Sequence, residues 1–322
     1  MSKIIFILLL STALFSQEPS PLIEINSFGT NPGNLKMFVH TNETKDTNKV
    51  PLVIVLHGCS ESAKGVSELT GWNKLADINN FIVVYPQQKI ANNPNLCFNW
   101  FLKQDIDKGS GECESIYEMI SYAKKNYKID TNNIYITGLS AGAAMSVVMA
   151  STHPQTFKMA AIFAGGAYKV NEDATESLKA MKGRVNISQD ELIKRVRLQN
   201  PSYKGSYPAL IVYQGLKDPI VHRRSSKYII QQWTGLNNCD TIPTKVEFNY
   251  LGVEDIKRSE FTNKTGKVVL TFYEINNMGH RLLIKPGNKE DEGGKLGIFG
   301  INKGFHSTYQ TAKEFGILKK KN

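Results

Sequence analysis

Residues 134–145 read Ile-Tyr-Ile-Thr-Gly-Leu-Ser-Ala-Gly-Ala-Ala-Met, so Ser140 stands between Gly138 and Gly142 directly after a β-branched run. A serine hydroxyl is a poor nucleophile at neutral pH and needs a base to take its proton. A turn of small residues between a strand and a helix lifts the hydroxyl above a sheet, and it points the N–H of Ala141 toward a reacting carbonyl. The Gly-x-Ser-x-Gly pattern alone is weak, because glycine and serine are common residues. Its partners decide the reading. When a serine is carried on such a turn, the acid and the base follow it in that order along the chain. Asp218, in Gly-Leu-Lys-Asp-Pro after an apolar run, is the candidate acid, and His280, in Asn-Met-Gly-His, is the candidate base. Asp240 and Asp255 lie in less regular stretches, and His222 is a rival that breaks the expected order. His57-Gly58 ends another apolar run, which lets the backbone turn back and offers the N–H of Cys59 as a second donor beside Ala141. Together these residues predict acyl transfer through a Ser-His-Asp triad and a two-donor oxyanion hole.

The elements that must position them follow from hydrophobic patterning. Val50–His57 is continuously apolar, as in a strand buried on both faces. Phe81–Pro86, the run before Ser140, Met159–Gly165, Pro208–Gly215 and Lys267–Ile275 read as further strands. Helical spacing lies between them, at Glu112–Tyr127, Ala141–His153 and Ser225–Gly235, with a last helix near Ser307–Phe315. Such alternation predicts a mostly parallel central sheet with helices on both faces. Residues 168–207 are polar and helix-forming, and are expected to be a small cap-like insertion over the sheet's carboxyl edge, where ligands bind in open α/β sheets.

Bulk properties narrow the class. The chain has 322 residues, 41% hydrophobic and 10% aromatic, enough for one large domain. Residues 1–16 carry a lysine, an apolar run and a terminal serine, the layout of a secretory signal peptide. That run is short for a membrane span of about 20 residues. A polar lead-in is expected over 17–34, the catalytic domain over 35–318 and a solvated basic tail over 319–322. The formal charge of +10 is spread along the sequence, which gives no nucleic-acid footprint. Export makes disulfides among Cys59, Cys97, Cys113 and Cys239 reasonable, with three pairings open. No Cys/His spacing calls for a metal, and no cofactor is expected.

The stretches around Leu56–Ala63, Gly71–Asp77, Phe81–Gln88, Asn93–Phe101, the Ser140 turn, the Asp218 loop and Met278–His280 resemble the secreted polyhydroxybutyrate depolymerase-type esterases, a group related to feruloyl and acetylxylan esterases. The likeness runs from about Leu35 to Phe315. It implies an α/β-hydrolase fold with Ser140, Asp218 and His280 as triad. It also implies a Cys59–Cys97 disulfide, leaving Cys113 to pair with Cys239, and it places Trp100 and Asn99 beside the substrate. Residues 281–300 depart from the family's usual stretch after the histidine, so the acyl pocket is expected to be this chain's own. The resulting expectation is a secreted serine carboxylesterase for short-chain or hydroxyalkanoate-type esters, small or oligomeric, including polyester. Feruloyl or acetyl esters on polysaccharide are the alternative. A non-catalytic binding protein on the same scaffold would be expected to lack a triad member, whereas all three stand here in order; a peptidase on the same fold is the other remote reading.

Overall fold

The computed structural model describes residues 21–42, 48–170 and 174–320. The signal-peptide reading of residues 1–16 and the end of the basic tail lie outside these. In chain order the first half contains β1 (Ile23–Ile25), β2 (Lys36–His40), β3 (Val50–Leu56), α1 (Ala63–Thr70), α2 (Trp72–Asn79), β4 (Ile82–Gln87), α3 (Lys103–Ile106), α4 (Gly111–Asn126), β5 (Ile129–Leu139) and α5 (Ala141–Thr152). The second half contains β6 (Met159–Phe163), α6 (Ala174–Met181), α7 (Gln189–Arg197), β7 (Ala209–Gly215), α8 (Arg224–Leu236), β8 (Lys245–Glu247), β9 (Ile256–Thr262), β10 (Val268–Ile275), β11 (Leu282–Ile284), β12 (Gly300–Asn302) and α9 (Ser307–Phe315).

Ten of these strands form one sheet in the order β1-β2-β4-β3-β5-β6-β7-β10-β9-β8. Its centre, from β4 to β10, is parallel, and antiparallel pairs finish both edges. The apolar runs are continuous because both faces are covered. Along β3, Leu52, Ile54 and Leu56 face the layer of α4, α5 and α8, whereas Val53 and Val55 face α1, α2 and α9. Helix α5 runs through the first layer with every residue buried, which explains its lack of a polar face. This is the α/β-hydrolase fold, with a mostly parallel central sheet between helical layers.

The antiparallel edges were not foreseen. The segment ahead of Leu35, read as a lead-in, contributes β1, which pairs with β2. The insertion at 168–207 carries α6 and α7, and α6 roofs the cavity at the sheet's carboxyl edge through Ser177, Leu178, Ala180 and Met181. Among the described residues no helix is long and apolar enough to cross a membrane.

Candidate active site

The turn from β5 to α5 holds Ser140 at φ 55° and ψ −116°, a conformation that L-residues rarely adopt. Its backbone is held on both sides: the Ser140 N–H donates to the Phe163 carbonyl on β6 at 2.9 Å, and its carbonyl accepts the N–H of Ala144 at 3.0 Å. The flanking glycines are required by close approach. A Cβ on Gly142 would lie 2.4 Å from the His57 carbonyl oxygen, and one on Gly138 would lie 2.4 Å from Gly142 itself. Helix α5 therefore packs directly against the loop after β3, and Ala141 supplies the first N–H of that helix, which has no intrahelical acceptor.

The loops after β7 and β10 bring acid and base together. The N–H of Leu216 donates to the Ile275 carbonyl, and that of Lys217 to the Met278 carbonyl, each at 3.0 Å. Gly215 permits this approach, since a Cβ there would lie 2.5 Å from the Met278 and Gly279 oxygens. Asp218 Oδ2 then accepts from His280 Nδ1 at 2.7 Å, while Oδ1 accepts the N–H groups of Ile220 and Val221 at 2.8 and 2.9 Å. The Asp218 side chain is fully buried and that of His280 nearly so. With the Nδ1 proton directed at Asp218, Nε2 is left as the acceptor. Ser140, His280, Cys59 and Ala141 line a single cavity of about 330 Å³. His222, the rival base, is exposed and lines no part of this cavity, its backbone N–H donating to the Met181 carbonyl at 2.8 Å.

The Cys59 loop is fixed by several groups. Gln88 N–H donates to His57 Nε2 at 3.1 Å, so the His57 proton sits on Nδ1 and donates to the Gly58 carbonyl at 2.7 Å. Burial lowers the His57 pKa to about 4, which keeps the ring neutral and this tautomer in place. Glu61 Oε2 accepts the Gly58 N–H at 2.8 Å, and Ser60 N–H donates to the Asn95 carbonyl at 2.8 Å. Burial raises the Glu61 carboxyl, opposed by the Gly58 hydrogen bond and by His280 nearby. A Cys59–Cys97 disulfide closes the loop.

Three expected roles meet different outcomes. Trp100 lines the cavity, set edge-on to Phe101 with ring centroids 5.4 Å apart. Asn99 does not. It is buried behind the wall, where its amide oxygen accepts from Asn93 Nδ2 at 2.9 Å and its N–H donates to Glu112 at 2.8 Å. The Cys113–Cys239 pairing is also corrected, because both thiols are free. Cys113 is buried on α4, 3.2 Å from Thr152 Oγ1 on α5, whereas Cys239 follows α8 beside its own neighbour Asp240.

Glu61, Gln88 and Phe299 were missed as individual residues. Phe299 comes from the divergent 281–300 stretch, lines the cavity and meets the His280 ring edge-on at 6.3 Å. No sequence pattern fixes where a loop of that length folds back. Lys74 on α2 holds this one, donating to the carbonyls of Gly287, Lys289 and Glu292 at 3.0, 2.7 and 2.7 Å.

Comparison with known proteins agrees with this architecture. The chain is 35% identical over 306 residues to a poly(3-hydroxyalkanoate) depolymerase C of Paucimonas lemoignei, covering 95% of this chain and 72% of that one. It is 29% identical over 228 residues to an acetylxylan esterase of Coprinopsis cinerea, covering 69% of this chain and 60% of that one. Among solved structures, an acetyl xylan esterase from Aspergillus awamori superposes with a TM-score of 0.72 at 22% identity, covering 81% of this chain and 94% of that one, which is a likeness of fold. Residues 38–243 match the family model described as Esterase PHB depolymerase, and the chain belongs to that family.

Proposed function

We propose that the protein is a secreted serine carboxylesterase that hydrolyses short-chain or hydroxyalkanoate-type esters through an acyl-enzyme. The observation that carries this reading is the 2.7 Å bond between Asp218 and His280, with His280 facing the cavity that Ser140 also lines. His280 Nε2 takes the Ser140 proton as the hydroxyl attacks the ester carbonyl. Asp218 holds the tautomer and stabilises the imidazolium. The N–H groups of Ala141 and Cys59 receive the oxyanion, an arrangement in which one donor is worth about 3–4 kcal/mol of transition-state stabilisation. His280 returns its proton to the departing alcohol, and a water molecule activated by the same nitrogen releases the acyl group.

The cavity wall supports an acyl group of modest size. It is largely apolar and roughly twice the ~150 Å³ cavity that admits benzene. The hydroxyalkanoate element of the proposal draws on the Paucimonas lemoignei relative. Secretion draws on the sequence of residues 1–16 and on the Cys59–Cys97 disulfide.

The test is hydrolysis of p-nitrophenyl butyrate by the intact protein and by Ser140→Ala. The variant is expected to fold as before and to lose turnover to the background rate. Undiminished turnover would remove Ser140 from the mechanism. A panel of feruloyl, acetyl-xylan and hydroxybutyrate oligomer esters then ranks the substrates, and a higher kcat/KM for the polysaccharide esters would reassign the natural substrate.

A further inference from the structure

The cavity in front of Ser140 contains one fully buried hydroxyl for which the protein provides no partner. Ser177, on α6 in the cap, lines the cavity, is 2% exposed, and its Oγ makes no hydrogen bond. Beyond Ser140, His280 and the half-buried Trp100 indole, the other polar side chains of the wall are accounted for. Asn93 donates to Asn99 and accepts the Asn95 N–H, each at 2.9 Å, and Asn95 itself is exposed to water. Ser225 donates to the Ala180 carbonyl at 3.5 Å, and the Tyr228 hydroxyl donates to the Val185 carbonyl.

Several buried helical hydroxyls bond back to the preceding turn, although Ser151 and Thr308, which lie away from the cavity, do not. Ser146 donates to Gly142, Thr234 to Ile230 and Thr70 to Val66, at 2.8, 2.7 and 2.6 Å. Ser177 does not. Six other side-chain atoms among the described residues are buried without a partner, and none belongs to a cavity-lining residue. An orphaned hydroxyl in an apolar chamber is costly, and such groups are rare in folded proteins. A ligand atom that completes it would remove the cost.

We infer that Ser177 is a specificity determinant, its hydroxyl hydrogen-bonding an oxygen on the acyl chain beyond the reacting carbonyl, so that the site prefers hydroxyacyl esters to plain alkanoyl esters. The inference rests on the reading of Ser140 as the nucleophile, because that places the acyl chain in this cavity. The same wall carries the apolar side chains of Val170, Leu178, Ala180, Met181 and Val221, while the hydroxyls of Ser225 and Tyr228 are spent on backbone carbonyls. A site built around a hydrogen bond rejects the analogue that lacks it, because its own polar group is then left unpaired.

The experiment measures kcat/KM by pH-stat for ethyl butyrate and for the ethyl esters of 2-, 3- and 4-hydroxybutyrate. The intact protein is expected to prefer one hydroxylated isomer over butyrate. In Ser177→Ala that ratio should fall about 2- to 10-fold, the range for one neutral hydrogen bond. Ser177→Thr, which keeps a hydroxyl, should retain most of the preference. Without substrate, Ser177→Ala should also melt about 2–4 °C higher, since it deletes an unpaired buried group. Absence of any preference in the intact protein, or a preference that survives in Ser177→Ala, would overturn the inference and leave the esterase reading in place. Hydrolysis of none of the four esters would overturn both.

Discussion

The Asp218–His280 pair separates orientation from charge. Asp218 spends one oxygen on the ring and the other on two backbone N–H groups of its own loop, so the carboxylate is aimed before any substrate arrives. Replacing it with asparagine keeps the shape but allows the amide to donate, which favours the tautomer with the proton on Nε2. Asp218→Asn is therefore expected to lower kcat about ten-thousand-fold, as when a triad loses the correct tautomer, while leaving KM and melting temperature near their original values. A loss in KM instead would make Asp218 a loop-holding residue. The candidate serine, acid and base were legible because each follows a strongly apolar strand in the required order. Glu61 and Gln88 were not, because their roles arise only after β3 and β4 pair and bring their loops side by side. Cys113 illustrates the opposite failure: evenness of cysteine count says nothing about which helix face a thiol occupies.

The elements that carry the site were read where burial on both faces makes a strand continuously apolar, as in β3, β7 and the second half of β5. The edges escaped because β1 and β8 are three residues long and have exposed positions, giving no run to detect. Two tethers at this scale are testable. The Cys59–Cys97 disulfide closes a loop of 38 residues by sequence separation, for which chain entropy gives about 4 kcal/mol of stabilisation. The double variant Cys59→Ser/Cys97→Ser should lose about that much in urea unfolding. Its kcat should drop by no more than the ~10²–10³ that outright loss of an oxyanion donor costs, because the Cys59 N–H remains but is less well held. The second tether is Lys74, whose ammonium gathers three carbonyls of the loop that ends at Phe299. Lys74→Met removes all three bonds. The 285–299 segment should then be nicked faster by a protease at native conditions, and KM should rise because Phe299 and His280 flank that loop. Equal proteolysis of both proteins would show the loop to be held by its other contacts, among them the Lys295 N–H to the Leu69 carbonyl at 3.2 Å.

At the scale of the whole molecule, burial of titratable groups sets the response to pH. Burial lowers His57, His153 and His306 each to about 4. A depressed folded pKa means that these rings favour the native state fully above about 6.5 and lose that contribution as pH falls through about 4. Glu112 runs the other way. Burial, and then the neighbouring Asp105, raise its carboxyl to about 8, although Gln88 and the Asn99 N–H both bond to it. Its contribution is therefore complete below about 4.5 and is lost as pH rises toward 8. Above about pH 7.5 the histidines have all but finished titrating in the unfolded chain while Glu112 has not finished in the folded one, so unfolding free energy should decline with pH from there to about 8. In Glu112→Gln the decline should flatten, because the group that loses its proton is gone. The slope is the informative quantity, since the value at any one pH also includes the altered bond to Gln88. Urea melts of both proteins at intervals from pH 6 to 8.5 measure it. Parallel curves would mean that Glu112 stays charged throughout, with its two donors outweighing burial.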